Sequence, residues 1–339
     1  MRGKRSESTG GRGELAMVDR IRSRATRSAS DGLRLGIGDD CAILRLKPGE
    51  DLAVTTDLSI AGRHFRLEWH PPEAVGHRTL ARGLSDIAAM GARPIAAFLS
   101  LGLPKGLAAR KGRRPAWVDR FLDGFLALAD QFETPLAGGD LAESPLAAAD
   151  IVLLGAVPRG KALLRSGARP GDIVCVTGAL GGAAAGLELL RKSPGRTLSI
   201  ARNSEKKQEF FTHFWPQPRI VQGLWLRRRQ TATAAIDLSD GLSTDLDHLC
   251  TESGVSAEIN AEALPIYASA TLNQALHGGE DYELLFTARP NAAIPRSIAG
   301  IPVTRIGKII KKRAGQPSVA LVDSSGRRSL RRGGWEHFS

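Results

Sequence analysis

Seven carboxylates stand in short turns or strand ends spread over most of the 339-residue chain. They fall in five stretches: Gly38-Asp39-Asp40, Thr55-Thr56-Asp57, Leu84-Ser85-Asp86, Gly138-Gly139-Asp140 and Ile236-Asp237-Leu238-Ser239-Asp240-Gly241. One Asp in such a place has a purely local explanation, since Asp favours turns and helix caps. Gathered by a fold, the five stretches would form a pocket of hard oxygen ligands. That set holds Mg²⁺ and shares it with substrate phosphates. The expected chemistry is magnesium-dependent phosphoryl transfer without a P-loop. No GxxxxGK[ST] occurs, and no kinase-type glycine loop leads into a V-A-I-K strand. Metal must then carry much of the charge neutralisation. The Gly138-Gly139-Asp140 turn adds backbone N–H groups close to a ligand, and the helix opening after Asp240 adds more.

The elements that must position these acids can be read from period and punctuation. Residues 14–24 read as a short helix, with Leu15, Val18 and Ile21 on one face. A glycine turn at 36–38 runs into an apolar strand, and 52–57 is a second strand ending in its acid. Residues 72–90 are helical, with Pro72 suited to the first turn and Leu80, Leu84, Ile87 and Ala88 as the buried stripe. Asp86 near its last turns opposes the helix dipole, which hints at an outside cation. Strands follow at 94–101, 136–140 and 151–157, with an amphipathic helix at 117–132. The Gly-, Pro- and Arg-bearing stretch 158–171 marks a boundary. Beyond it come strands at 172–177, 236, 254–259 and 282–287, helices through 190 and 250, and a terminal β pair from 303–310 and 319–322. The fold class is α/β (α+β) in two domains, 14–157 and 158–339, after a disordered basic leader at 1–13. The turn at 178–186 looks like a dinucleotide-binding glycine turn. Its expected acid would fall in the polar segment 198–206, so close helix packing on small residues is the favoured explanation.

Composition narrows the classes. A hydrophobic fraction of 42% and a charged fraction of 24% are ordinary for a globular protein. No apolar run approaches the ~20 residues of a membrane span, and no secretory signal is visible. The three cysteines, Cys41, Cys175 and Cys250, have no metal or disulfide spacing and fit a reducing compartment. The net charge of +12 is spread out, and aromatics are 5% without the basic–aromatic alternation of a stacking platform. A basic surface that draws in anionic substrates is favoured over a dedicated nucleic-acid partner.

The motifs reach a known family. GIGDDCAIL (36–44), TTDLSIAGRHF (55–65), LSDIAAMGARP (84–94), AGGD (137–140), RSGARPGD (165–172), AIDLSDGLSTDL (235–246), GGEDYELLFT (278–287), RIGKI (305–309) and GWEHF (334–338) follow one another in order. Together they resemble the thiamine-monophosphate kinase family, of the superfamily that includes aminoimidazole ribonucleotide synthetase and selenophosphate synthetase. The resemblance implies ATP-dependent phosphorylation of thiamine monophosphate to thiamine diphosphate by a cytoplasmic homodimer. The N-terminal domain would pair in the dimer, with the site between it and the C-terminal domain. It further implies that Asp40, Thr55, Thr56, Asp57, Asp86, Asp140, Asp237 and Asp240 hold several Mg²⁺ ions. Asp57, Asp86 and Asp240 would be central to catalysis. Gly139, Asp140, Arg165 and Ser239 would contact ATP, and His64, Glu280 and Trp335 the thiamine phosphate.

Transfer is expected to be direct and in line. The acceptor phosphate has a second pKa near ~6 and is largely ionised at neutral pH, so no strong base is required. The chain departs from the family at Leu58 and Leu141, where Thr is usual, at Gly83, where Asn is common, and in the insertion at 111–115. None of these removes a proposed ligand. The alternatives are another ATP-dependent enzyme of the superfamily and a basic metal- or nucleic-acid-binding protein without catalysis. The chain has no Cys before Cys41 and ends in Ser339 rather than Cys, which disfavours the selenophosphate synthetase and hydrogenase-maturation relatives.

Overall fold

The computed structural model describes residues 14–25, 31–109, 115–192 and 207–335. The leader at 1–13, residues 111–114 of the insertion, the segment 198–206 and positions 336–338 of the last motif lie outside the described residues. Helix α1 (Glu14–Ala25) precedes a two-stranded antiparallel ribbon, β1 (Leu33–Leu35) and β2 (Ile43–Leu44). The first sheet contains β3 (Glu50–Ile60), β4 (Arg93–Leu103), β5 (Leu136–Glu143) and β6 (Ala148–Pro158), in the order β3-β6-β4-β5. Helices α2 (Pro72–Ala89) and α4 (Trp117–Gln131) cover one face, with a single turn, α3 (Lys105–Ala108), between them.

The second sheet holds β7 (Ile173–Thr177), β8 (Ala232–Asp237), β9 (Val255–Asn260), β10 (Leu284–Ala288), β12 (Ile301–Lys311), β13 (Val319–Asp323) and β14 (Gly326–Ser329). Its order is β14-β13-β9-β12-β7-β10-β8, with the short β11 (Ser297–Ile298) on β12. Helix α5 (Gly182–Lys192), the helices Lys207–Phe214, Ile220–Arg229, Leu242–Ser253 and Leu272–His277, and a 3-10 turn at Ala261–Ala263 complete the described part of this half. The mixture of helix and strand in both halves is the α/β (α+β) class that the sequence implied. The expected terminal pair is corrected, because 303–310 and 319–322 are not neighbours. β9 lies between them, antiparallel to β12 and parallel to β13, while β13 takes β14 as its hairpin partner. A largely buried strand such as β9 needs partners on both edges. Asp57 also falls inside β3 rather than at its end, and β10 starts at Leu284 because Tyr282 adopts φ 50.

Helix α2 connects the halves. Pro72 opens it, and Leu80, Leu84, Ile87 and Ala88 are buried against β3 and β6. The same helix also packs on β8 and on the helix Ile220–Arg229. One core therefore runs from Phe121 and Ile151 through α2 to Leu226 and Phe286. The α2–α4 crossing depends on two reciprocal glycines. A Cβ on Gly76 would lie 1.9 Å from the Phe121 carbonyl oxygen, and one on Gly124 would lie 1.8 Å from that of Glu73. Gly124→Ala is expected to force the helices apart at a cost of about 1–3 kcal/mol, the usual range for overpacking. A urea midpoint equal to the wild-type value would contradict this account of the crossing.

Candidate functional site between the two sheets

Side-chain alternation along β3 sorts its residues onto two faces. Ala53, Thr55, Asp57 and Ser59 face inward, where α2 packs, and Leu52, Val54, Thr56 and Leu58 face outward. Helix α2 meets the inner face with a polar stripe, Arg78, Arg82, Ser85 and Asp86, whose spacing puts them on one side of a helix. Arg82 pairs with Asp57 at 3.2 Å and also donates to the Ser59 hydroxyl. Thr55 donates its hydroxyl proton to Asp86. Ser85 donates to Asp237 at 2.7 Å, which ties α2 to the end of β8. After β8 the chain turns through Leu238–Gly241 into the helix Leu242–Ser253. Asp245 of that helix accepts from the backbone N–H groups of Ser239, Asp240 and Gly241 at 3.0–3.1 Å, which fixes the turn. The result is a cavity of about 560 Å³ lined by Asp57, Asp86, Asp237, Ser239 and Asp240.

The electrostatics of this cavity are strained. Burial pushes the Asp57 carboxyl up to about 6 against the pull of Arg82, and repulsion from Asp86 adds to the rise. Asp86 is raised by burial and by the charge of Asp237. Asp237 is raised by burial despite the Ser85 hydrogen bond. Arg165, exposed nearby, lowers both of the last two by its charge. The donors are all oxygen, they repel one another, and Arg82 pairs directly with Asp57. Hard divalent cations relieve this crowding, so the residues present fit Mg²⁺. Among the described residues no three Asp, Glu, His or Cys side chains enclose an ion by themselves. Ligands from substrate phosphates, water or another chain complete such a shell.

The other end of the chain closes over the same cavity. The loop at 278–283 is bonded to the 238–239 turn, with Glu280 N–H donating to the Ser239 carbonyl and Tyr282 N–H to that of Leu238. Its acids have separate partners. Glu280, in a left-handed conformation at φ 68, lines the cavity and pairs with Arg78 at 2.6 Å. Asp281 accepts from the N–H groups of Gly181 and Ala183 where α5 begins. Those donors are therefore taken, and the 178–186 turn serves packing, as the missing acid had implied. Glu283 is held by Arg219 and Thr177. His64 lines the cavity with its Nδ1 accepting from the Ile60 N–H at 3.0 Å. Trp335 lines it from the C-terminal segment, where its backbone N–H donates to the Asp240 carbonyl.

Two stretches lie elsewhere. Asp40, Gly139 and Asp140 line a second cavity of about 570 Å³ between α1, the 36–42 loop and β5. Gly139, at φ 151, brings its backbone so close to β4 that a Cβ would sit 1.9 Å from the Leu99 oxygen. With two strands between β3 and β5, Asp140 is about 14 Å from Asp57 at the usual strand spacing. Thr56 points to the outer face of β3, away from Thr55 and Asp57. The sequence reading also missed cavity residues, among them Phe65, Trp69, His70, Arg82 and His213. Arg82 was the findable one, four residues before Asp86 on the same helix face.

Residues 38–159 match the family of the AIR synthase related protein N-terminal domain, and residues 169–319 that of its C-terminal domain. The thiamine-monophosphate kinase of Salmonella typhimurium is 38% identical over 309 residues, 88% of this chain and 90% of that protein. Among solved structures, the thiamine-monophosphate kinase of Stenotrophomonas maltophilia K279a has a TM-score of 0.76 at 38% identity, covering 91% of this chain and 96% of its own. AaThiL complexed with AMPPCP and TMP has a TM-score of 0.71 at 29% identity, covering 96% of this chain and 97% of its own.

Proposed function

The chain belongs to the thiamine-monophosphate kinase family, and from that premise we propose that it transfers the γ-phosphoryl group of ATP to the phosphate of thiamine monophosphate. The products are thiamine diphosphate and ADP. The observation that carries this reading is the single cavity in which Asp57, Asp86, Asp237 and Asp240 meet the aromatic and acidic surface of Phe65, Trp69, Trp335 and Glu280. An anionic phosphate and a cationic heteroaromatic ring each find a complementary wall there.

The step is an in-line displacement in which the acceptor phosphate oxygen forms a bond to γ-phosphorus as the bond to ADP breaks. The ionised acceptor needs no base. Asp57, Asp86, Asp237 and Asp240, with Thr55, would hold Mg²⁺, which would supply neutralisation of the two polyanions and of the charge that develops between them. Ser239 and Arg165 contact the nucleotide, and His64, Glu280 and Trp335 orient the thiamine. Incubation with ATP, Mg²⁺ and thiamine monophosphate, followed by chromatography, should yield one thiamine diphosphate per ADP. Formation of ADP without it, or product from unphosphorylated thiamine instead, would refute the assignment.

The enzyme acts as a homodimer in this proposal. Leu52, Val54 and Leu58 are 48–55% exposed on the outer face of β3, and β3 and β5 are the two open edges of their sheet. An exposed apolar edge of this length is a pairing surface. Joining edge β3 to edge β5 of a second copy would bring the Gly139–Asp140 turn of the partner subunit next to β3, with Gly139 on the face of Asp57 and Asp140 on the face of Thr56. Each site then takes Gly139 and Asp140 across the interface, while Asp40 comes from the 36–42 loop. Residues 14–157 form the dimerising, nucleotide-binding domain and 158–339 the C-terminal domain. Among the described residues no helix is long and apolar enough to cross a membrane, and a reducing cytoplasm suits the free thiols of Cys41, Cys175 and Cys250.

Metal should also be visible in stability. A carboxyl raised in the folded state favours folding below its unfolded value of ~3.9 and costs stability once pH exceeds its folded value. For Asp57 the window runs from about 4 to about 6. Without metal, this group destabilises the protein progressively as pH rises through that window. Mg²⁺ should therefore raise the melting temperature more at pH 7.5 than at pH 5, where protons compete for the same oxygens. Equal shifts at both pH values, or none, would count against a carboxylate metal site.

A further inference from the structure

We propose that Arg78 and the buried His70–His213 pair are the positioning residues for the thiamine phosphate side of the cavity, an inference that rests on the function just proposed. Arg78 stands on α2 behind the cavity wall and is 5% exposed. It does not line the main cavity, yet its guanidinium reaches four points on that wall. One nitrogen donates to Glu280 Oε1 at 2.6 Å and, at 3.4 Å, to the His64 carbonyl. The other donates to the His213 carbonyl and lies 3.2–3.3 Å from both ring nitrogens of His213.

The two imidazoles carry the support onward. His70 Nδ1 lies 3.1 Å from both the backbone nitrogen and the carbonyl oxygen of Arg66. His70 Nε2 and His213 Nε2 share a hydrogen bond of 3.0 Å. His213 Nδ1 lies 3.2 Å from the Arg78 guanidinium and 3.8 Å from Glu280 Oε2. Burial, with the charge of Arg78, holds both rings neutral at physiological pH. Burial alone would raise Glu280, but Arg78 outweighs it by charge and hydrogen bond and keeps that carboxyl ionised.

The relay joins three segments that are distant in sequence: 64–70, the helix Lys207–Phe214, and Glu280. His64, Arg66, His70, His213 and Glu280 all line the cavity. Arg66 also stacks its guanidinium 4.7 Å above the Trp69 ring, so the backbone bond at Arg66 helps set that aromatic face. Arg78, His70 and His213 bond to Glu280, to the backbone at 64 and 66 and to one another, whereas Asp57 pairs with Arg82, Asp86 with Thr55 and Asp237 with Ser85. The network should therefore govern binding of the acceptor rather than of the nucleotide.

Arg78→Lys keeps the charge, but one ammonium cannot reach Glu280 and both His213 acceptors at once. Loss of a hydrogen bond to a charged group typically costs a factor of about 10 to 100 in binding. Arg78→Lys and His213→Phe should each raise KM for thiamine monophosphate by about 10-fold or more, with KM for ATP within about 2-fold and kcat within about 3-fold. A merely structural role would shift both KM values and kcat together, and that result would overturn the inference, as would an unchanged acceptor KM. In wild-type protein, ¹⁵N spectra of His70 and His213 at pH 7 should show two neutral rings joined through their Nε2 atoms; a charged imidazolium at either position would overturn the relay. If wild-type protein makes no thiamine diphosphate, the assigned function fails, and the ¹⁵N spectra still test the relay on their own.

Discussion

Asp57→Asn should lower kcat by roughly 10³-fold, the scale on which removal of a single transition-state electrostatic contact is felt, and should not lower the melting temperature of the metal-free protein. Both results follow from the same crowding. Asp57 is partly buried beside Asp86, and its carboxyl stands at about 6 even with Arg82 paired to it. The ionised form is thus unfavourable in the empty cavity at neutral pH, and each unit of such a shift is worth about 1.4 kcal/mol. Asparagine keeps the shape and an oxygen for Arg82 while removing the repulsion. In the proposed mechanism the carboxylate acts with substrate and metal present. Asp240→Asn should show the same loss of turnover, since Asp240 lines the same cavity and its backbone is fixed by Trp335 and Asp245. Steady-state rates at saturating Mg²⁺ and calorimetry without metal separate the two effects. Near-normal turnover, or a clear loss of stability in the metal-free protein, would count against the proposed role.

Asp57→Asn and Asp140→Asn should each be nearly inactive alone and regain activity when mixed. The strand order separates these two residues within one chain, and the proposed joining of open edges in a dimer would put the partner's Asp140 on the strand next to that of Asp57. Random reassortment of equal amounts makes half of the dimers mixed, and each mixed dimer has one site free of both changes, so recovery should approach about one quarter of wild-type activity in a symmetric dimer. Co-expression from differently tagged copies and tandem purification of the mixed species provide the measurement. A mixed dimer as inactive as its parents would place Asp140 in the same site as the Asp57 of its own chain, or in none.

Much of the site was legible because its residues act locally. The span and stripe of α2 followed from Pro72, Leu80, Leu84 and Ile87, and the strained place of Asp86 from its position near the helix end. Alternation along 50–60 already separates Thr56 from Thr55 and Asp57, once the strand is known to run on to Ile60. Strand order was not legible. Nothing in residues 136–143 says that β4 and β6 will lie between them and β3, because that is decided by packing over a hundred residues of chain. The failed terminal pair has the same cause, with β9 taking its place beside β12 from some fifty residues upstream. The Arg78–His213 contact spans 135 positions and carries no local signal. Of the departures from the family pattern, Gly83 has a visible reason. A Cβ there would meet the Ile151 side chain at 2.8 Å, so the core occupies the space a larger residue would need. Leu58 lies on the outer face of β3 and Leu141 lines the second cavity, where the proposed interface would cover them.

Anomalous scattering from Mn²⁺ in crystals grown with a non-hydrolysable ATP analogue and thiamine monophosphate locates the cations directly. The account predicts Mn²⁺ peaks within coordination distance of Asp57, Asp86, Asp237 and Asp240, lying between the terminal phosphate of the nucleotide and the phosphate of the acceptor. Peaks confined to other parts of the molecule, with these carboxylates bare and both ligands bound, would contradict it.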